Sequence, residues 1–385
     1  MLKKIVVVPD SFKGTMNSIE ICEIVKCTIL TVLPEVEVVA IPVADGGEGT
    51  VDAFLQTVGG KKITVSVVGP CGNDVYAEYG LLSNEKTAII EMAAASGLLL
   101  AGETKNPLNT TTYGTGQLIR HAIDSGCTKI IVGIGGSATN DGGIGAASAL
   151  GIRFLDAQGM DIPSTGDGLA SLHTIDLSGR DKRLDAVEII VACDVDNPLY
   201  GPNGAACVFA SQKGANSEII KVLDQNLKHY AEIVKNQMST DVQRLPGAGA
   251  AGGLGAGLYL FAGAKLNSGI DILLDAVNFE GIIQNADIII TGEGKIDSQS
   301  IRGKVPLGVA NRAKLLNIPV IAIVGQIGEG AEELYKKGII AIFTSCRTIK
   351  SMDEIKKSCK EDLEATVKDF CNLIKCIYKI FDSNL

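Results

Sequence analysis

The chain has 385 residues, of which 46% are hydrophobic and 21% charged, with a formal net charge of −9. That length exceeds a usual single core and predicts two domains, and the lack of low-complexity tracts argues against extensive disorder. The acidic balance excludes a nucleic-acid partner that needs a basic face, while an anionic small molecule held by local lysines remains open.

The apolar run Ile5–Val8 is too short for a signal-peptide core and has no cleavage site. No apolar run approaches the ~18 residues of a membrane span, and Glu91 breaks the best one, Thr87–Ala101. A cytoplasmic protein with no membrane partner is expected. The ten cysteines are scattered without a C-x-x-C, so they are read as free thiols, buried as small hydrophobes. Three widely spaced histidines argue against a zinc cluster or a Ser-His-Asp triad.

In chain order, Ile5–Val8 reads as a strand bounded by Pro9, and Ser18 as the cap of a helix running to Leu33. Glu37–Ile41 follows as a strand and Gly47–Thr57 as a short helix. Val65–Leu82 reads as a hairpin pair around Gly72–Asp74 by its period-2 alternation. Ala88–Glu91, Lys129–Ile134, Ile152–Leu155 and Ile189–Ala192 are further strands among glycine-rich turns and helices. The last hundred residues return to the opening grammar. Asp287–Thr291, Val320–Val324 and Ile339–Thr344 are strands, alternating with helices at Val305–Leu316 and Ala331–Lys337, and Met352–Phe381 is an amphipathic helical tail. Val- and Ile-rich strands alternating with helices predict a doubly wound parallel sheet covered on both faces. The expected division is a discontinuous α/β domain from residues 1–65 and 286–385, interrupted by a mixed α/β domain at 66–285. A cleft between the two domains is the expected place for a small-molecule site.

Chemistry concentrates at strand ends, where open α/β sheets place their sites. Pro9–Thr15 (PDSFKGT) offers Asp10, a hydroxyl at Ser11, a cation at Lys13 and close backbone approach at Gly14. Ala44–Thr50 (ADGGEGT) sets Asp45 and Glu48 among three glycines, which suits a metal or a hydroxyl as well as a capped helix start. Gly133–Gly143 (GIGGSATNDGG) is a strand-to-helix glycine turn carrying Gly135, Gly136, Ser137, Asn140 and Asp141. Free N–H groups there attract anions, and a carboxylate beside them makes sense if a divalent metal or a hydroxyl lies between. Asn109–Gly116 reads equally as a hydroxyl-rich cap or a substrate contact. Asp194 and Asn197 follow the strand Ile189–Ala192, and Pro246–Gly257 contains Gly249, Gly252 and Gly253 without a convincing strand before it. Thr291–Ser300 (TGEGKIDSQS) packs Glu293, Asp297 and Gln299 beside Arg302 and Lys304. No G-x-x-x-x-G-K-[ST] occurs, yet acids and cations in this pattern are what phosphoryl transfer needs. The turn at Gly133–Ala138 imitates a nicotinamide-binding unit, but Asp141 opposes a pyrophosphate there and no motif supplies a histidine for hydride transfer.

Together PDSFKG, VADGGEGT, GIGGSATNDGG, CDVDNPLYGPNGA, PGAGAAGGLG and TGEGKIDSQS, in this order, resemble the glycerate kinase family of the bacterial type I (glycerate 2-kinase) kind, over about residues 3–375. The resemblance implies ATP- and Mg²⁺-dependent phosphorylation of D-glycerate to 2-phosphoglycerate by a flavodoxin-like α/β domain interrupted by a second α/β domain. It implies catalytic roles for Asp194, Lys13 and Asp45, with Asp194 orienting the glycerate hydroxyl. Substrate or phosphate contacts would come from Asp10, Ser11, Asn197, Gln299, Arg302 and Lys304. Gly135, Gly136, Ser137, Asn140, Asp141, Gly249, Gly252 and Gly253 would contact ATP, and Asp45, Glu48, Glu293 and Asp297 would hold Mg²⁺. Lys295 stands where the resemblance leads one to expect Arg in many relatives; lysine keeps the charge but loses the two-pronged geometry. A kinase for a related hydroxy acid, a dehydrogenase and a catalytically silent metabolite binder are the alternatives, and a homo-oligomer is open.

Overall fold

The computed structural model describes residues 2–44, 46–103, 105–298, 300 and 304–382. They form two compact units, one from residues 1–45 and 270–385 and one from 46–269. The joints therefore differ from the expected 65/66 and 285/286. Strand Gly60–Val68 pairs along its whole length with Asp74–Leu82, and the Val51 N–H donates to the Glu91 carboxylate at 2.8 Å. Both contacts build residues 46–65 into the second unit. At the other joint, Arg312 of helix Val305–Lys314 gathers Asp271, Asp275 and Glu280 at 3.2, 2.6 and 2.6 Å, which ties residues 270–285 to the first.

The first unit is a five-stranded parallel sheet in the order Ile339–Thr344, Val320–Val324, Ile288–Gly292, Lys4–Pro9, Glu37–Ala40. Numbered within the unit this is 5-4-3-1-2, the flavodoxin-like order. Ile5, Val6, Val7 and Val8 are all fully buried, as a strand covered on both faces requires. Ile5 and Val7 pack with Ile21, Val25 and Ile29 of helix Ser18–Val32 and with Leu363 and Val367 of helix Met352–Asp382. Each such burial contributes roughly 1.5–3 kcal/mol. The last helix buries Cys359, Leu363, Val367, Phe370 and Cys371, a three- and four-residue spacing that lays one stripe on the sheet.

Helix Ser18–Val32 starts one residue earlier than Ser18 suggested. Asn17 is the cap: its side chain accepts from the Glu20 N–H at 2.9 Å, and the Glu20 carboxylate accepts from the Asn17 N–H at 3.1 Å. This reciprocal box satisfies two otherwise orphaned donors.

The second unit is a six-stranded mixed sheet in the order Lys265–Asn267, Glu188–Ala192, Lys129–Gly133, Thr87–Glu91, Asp74–Leu82, Gly60–Val68. The first four strands are parallel and the last two form the antiparallel hairpin, which begins at Gly60 rather than Val65. The unit also holds a 22-residue helix, Ser217–Met238, capped by Asn216 and burying Leu223, Leu227, Tyr230 and Val234. All ten cysteines are free, but only Cys22, Cys127, Cys359 and Cys371 are buried; Cys27, Cys71, Cys207 and Cys376 are exposed, against the expectation of burial. Among the described residues, no helix is long and apolar enough to cross a membrane.

Candidate active site

In the flavodoxin-like order the strand direction of travel reverses between the first and third strands of the first unit, and ligands bind outside the carboxyl ends there. The Asp10 N–H donates to the Gly292 carbonyl at 2.8 Å, so the two strands deliver Asp10 and Glu293 side by side. A cavity of about 840 Å³ opens at this edge, and Asp10, Ser11, Lys13, Glu293 and Lys304 all line it. Asp10 is 4% exposed and accepts the Ser11 N–H at 2.6 Å. Glu293 is likewise 4% exposed, and Lys304 stands 3.4 Å from its carboxylate. Burial pushes the Glu293 carboxyl above its ordinary range, a shift that the Ser300 hydroxyl and Lys304 oppose and nearby Asp297 reinforces. Its Oε1 has no hydrogen-bond partner among the described residues. A buried, orphaned carboxylate oxygen in a lysine-lined cavity suits a cation or a donating ligand. Lys295 pairs with Asp297 at 3.0 Å.

Of the remaining expected site residues, some fall outside the described residues and others are not among those lining this cavity. Asp45, Gln299 and Arg302 are outside the described residues. Glu48 is exposed just before helix Thr50–Val58 of the second unit. Among the described residues no three His, Cys, Asp or Glu side chains gather as a metal cage. Asp194 is half-buried at the end of strand Glu188–Ala192 and accepts the Gly269 N–H at 3.0 Å. Asn197 is half-buried as well, donating to the Asn203 carbonyl at 2.8 Å.

The two glycine-rich segments meet each other. Gly142 N–H donates to the Gly252 carbonyl at 3.0 Å. A Cβ on Gly252 would lie 2.0 Å from the Thr139 carbonyl oxygen, one on Gly253 2.6 Å from the Gly142 Cα, and one on Gly249 2.2 Å from the Pro198 carbonyl oxygen. Ala251, Gly252 and Gly253 are three successive left-handed residues. Gly249, Gly252 and Gly253 are thus required by backbone packed on backbone. Asp141 lies in the same turn as Gly142. It is fully buried and accepts from the Thr112 N–H (2.8 Å), the Thr112 hydroxyl (2.7 Å), the Gly143 N–H (3.0 Å) and the Gly145 N–H (3.3 Å). Burial raises its pKa while these donors pull it back. It braces the turn. Asn140 is fully buried too; Gly135 and Gly136 alone of the expected nucleotide set reach the surface, with Ser137 9% exposed.

The sequence reading passed over Lys213. Its ammonium is buried, 2.7 Å from the Ser137 hydroxyl and 2.6 Å from the Thr139 carbonyl, and burial pulls its pKa down to about 7. Arg347 and Lys350 were also missed, although both line the first unit's cavity. They follow a parallel strand, Ile339–Thr344, and the strand-end rule applied elsewhere points to them.

A lysine-lined cavity with buried carboxylates at the switch point of a doubly wound sheet defines an α/β enzyme acting on an anionic small molecule. The glycerate kinase family model matches residues 5–375. The glycerate kinase of Bacillus cereus is 48% identical over 98% of both chains, and the glycerate 2-kinase of Escherichia coli is 49% identical over 91% of this chain and 92% of its own. A crystal structure described as a glycerate kinase 2 from Salmonella typhimurium LT2 superposes with a TM-score of 0.87 at 46% identity, covering 98% of this chain and all of that one. The chain belongs to the glycerate kinase family, and it is a kinase.

Proposed function

We propose that the protein is a cytoplasmic kinase that transfers the γ-phosphoryl group of ATP to D-glycerate, giving 2-phosphoglycerate. A bond forms between a glycerate hydroxyl oxygen and the γ-phosphorus, the bridging β–γ P–O bond breaks, and ADP leaves. The hydroxyl proton goes to a carboxylate, the role the resemblance gives to Asp194. The observation that carries the reading is the convergence of Glu293, Lys304, Lys13 and Asp10 on one cavity in a chain whose relatives are named glycerate kinases.

Phosphoryl transfer asks little covalent chemistry of a protein and much positioning and charge neutralisation. Lys13 and Lys304 supply positive charge at the sheet edge, and Ser11 a hydroxyl. Mg²⁺ typically takes one or two protein carboxylates together with water and phosphate oxygens. Glu293 fits that demand, because its Oε1 is buried and lacks a protein partner among the described residues. When bound, the ion would neutralise phosphate charge.

The test is ³¹P NMR of the protein with ATP, Mg²⁺ and D-glycerate. Resonances of 2-phosphoglycerate support the reading, and 3-phosphoglycerate overturns the regiochemistry. No glycerate-dependent product from folded protein sends the search to related hydroxy acids. Asp194→Asn is expected to abolish turnover with the fold intact; retained activity removes Asp194 from its role.

A further inference from the structure

The first unit's cavity is too large and too two-faced for glycerate alone. Volumes of ~300–1,000 Å³ are typical of drug-sized ligands, and a three-carbon acid fills a small part of 840 Å³. Glycerate also has no apolar face, because every carbon bears oxygen. Yet one wall of the cavity is built from Ile349, Met352 and Ile355.

That wall is held out on purpose-made supports. Lys350 bonds Asp362 at 2.6 Å and the Ser358 hydroxyl at 2.7 Å, both on the last helix, and Arg347 bonds Asp369 at 2.8 Å. Ile349 lies between these two anchors and is fully exposed, while Met352 is 52% exposed. Isoleucine projecting into water from a segment pinned on both sides is an apolar surface with no protein cover among the described residues. Lys13 and Lys304 line the same cavity, with Arg347 and Lys350 flanking Ile349. Lys13 follows the first strand and Glu293 the adjacent third, whereas Ile349 follows the edge strand Ile339–Thr344. Met352 reaches the turn after the first strand, where a Cβ on Gly14 would lie 3.6 Å from its Cε, so the apolar and charged linings are contiguous.

We propose that this cavity seats the nucleotide, with its triphosphate at Lys13, Lys304 and Glu293 and its base against Ile349, Met352 and Ile355. The inference rests on the kinase reading, and it replaces the glycine-rich segments of the second unit as the nucleotide's location. Those segments are occupied by each other's backbone.

Photolabelling of the full chain with 8-azido-ATP, followed by peptide mapping, tests it. Saturable labelling within residues 345–359, blocked by ATP, is expected. Labelling within 133–143 or 247–257, or none that saturates, overturns the proposal. As a second measurement, Ile349→Asp is expected to raise KM for ATP about tenfold or more, with a much smaller change in KM for glycerate. An equal rise in both, or none, counts against it. Absence of glycerate-dependent ADP release from the unmodified protein would strike the kinase reading instead, and the crosslink site would still decide the cavity.

Discussion

The ammonium of Lys213 lies 2.7 Å from the hydroxyl of Ser137, 76 residues earlier in the chain, and 2.6 Å from the carbonyl of Thr139. A buried lysine so placed fixes a glycine-rich turn that has few side chains of its own to hold it. Burial is the larger influence on its charge and lowers its pKa to about 7; the field of Asp141 acts the other way.

The sign of the resulting pH dependence follows from linkage. Between about pH 7 and the ordinary lysine range the unfolded chain binds the proton and the folded chain does not, so stability rises with pH across that window. Lys213→Met removes this slope. It also strands the Thr139 carbonyl, at a cost of roughly 1–3 kcal/mol. Urea midpoints at pH 7 and pH 9 should therefore diverge for the natural protein and coincide for the variant, with the larger deficit of the variant at pH 9.

Glu293 has the opposite sign. Its carboxyl is raised by burial, so the folded state favours the protonated form; that contribution is full below the ordinary carboxylate range and is lost as pH rises through the raised value. Glu293→Gln is expected to melt higher than the natural protein at pH 8 and at the same temperature near pH 4. Its turnover should fall by about 10²-fold or more, as loss of a charge-stabilising group at a transferring centre does. Thermal melts at both pH values and a coupled ADP assay read the two effects separately.

Asp141→Asn places an amide N–H₂ against a set of donors that includes the Gly143 and Gly145 N–H groups and the Thr112 hydroxyl. The expected cost is roughly 3 kcal/mol or more, because four hydrogen bonds of a fully buried group are disturbed at once. Denaturation midpoints should drop sharply while kcat per folded molecule changes little. A normal midpoint with collapsed kcat would return Asp141 to ligand contact.

Two glycines separate backbone conformation from space. Gly252 and Gly49 both have positive φ, at 68° and 90°. Alanine at Gly252 meets the Thr139 carbonyl oxygen at 2.0 Å, whereas at Gly49 it meets nothing within 4 Å. Gly252→Ala is expected to cost about 4 kcal/mol or more and to yield little folded protein. Gly49→Ala carries only the left-handed penalty of about 1–2 kcal/mol. Equal midpoints for the two variants would show that packing at Gly252 is not what demands glycine.

Strands were legible because each is a β-branched run closed by punctuation: Val320–Val324 and Ile339–Thr344 fall where the pattern puts them. The cap was off by one because Asn17 and Ser18 are both good capping residues, and only the return bond from Glu20 selects Asn17. At the site, Asp10, Lys13, Glu293 and Lys304 were legible from their strand ends. The glycine-rich segments are ambiguous in sequence for a physical reason. A backbone that must approach a phosphate and a backbone that must approach another backbone call for the same residue. Lys213 left no local signal, since its partners lie more than seventy residues away. The Ile349 wall was missed because nothing in an exposed isoleucine announces a ligand until the anchors beside it are seen.

The first strand of the first unit is made first and completed late. Lys4–Pro9 pairs on one side with Glu37–Ala40, but its other neighbour, Ile288–Gly292, follows the entire second unit. At roughly 5–20 residues per second, a ribosome takes on the order of 10–50 s to cross that insertion. Throughout that interval Ile5–Val8, which ends with no solvent contact at all, has an open hydrogen-bonding edge. The emerging polypeptide therefore carries its own most sticky template ahead of it, and its yield in a cell depends on what shields those few residues until the other half of their sheet is translated.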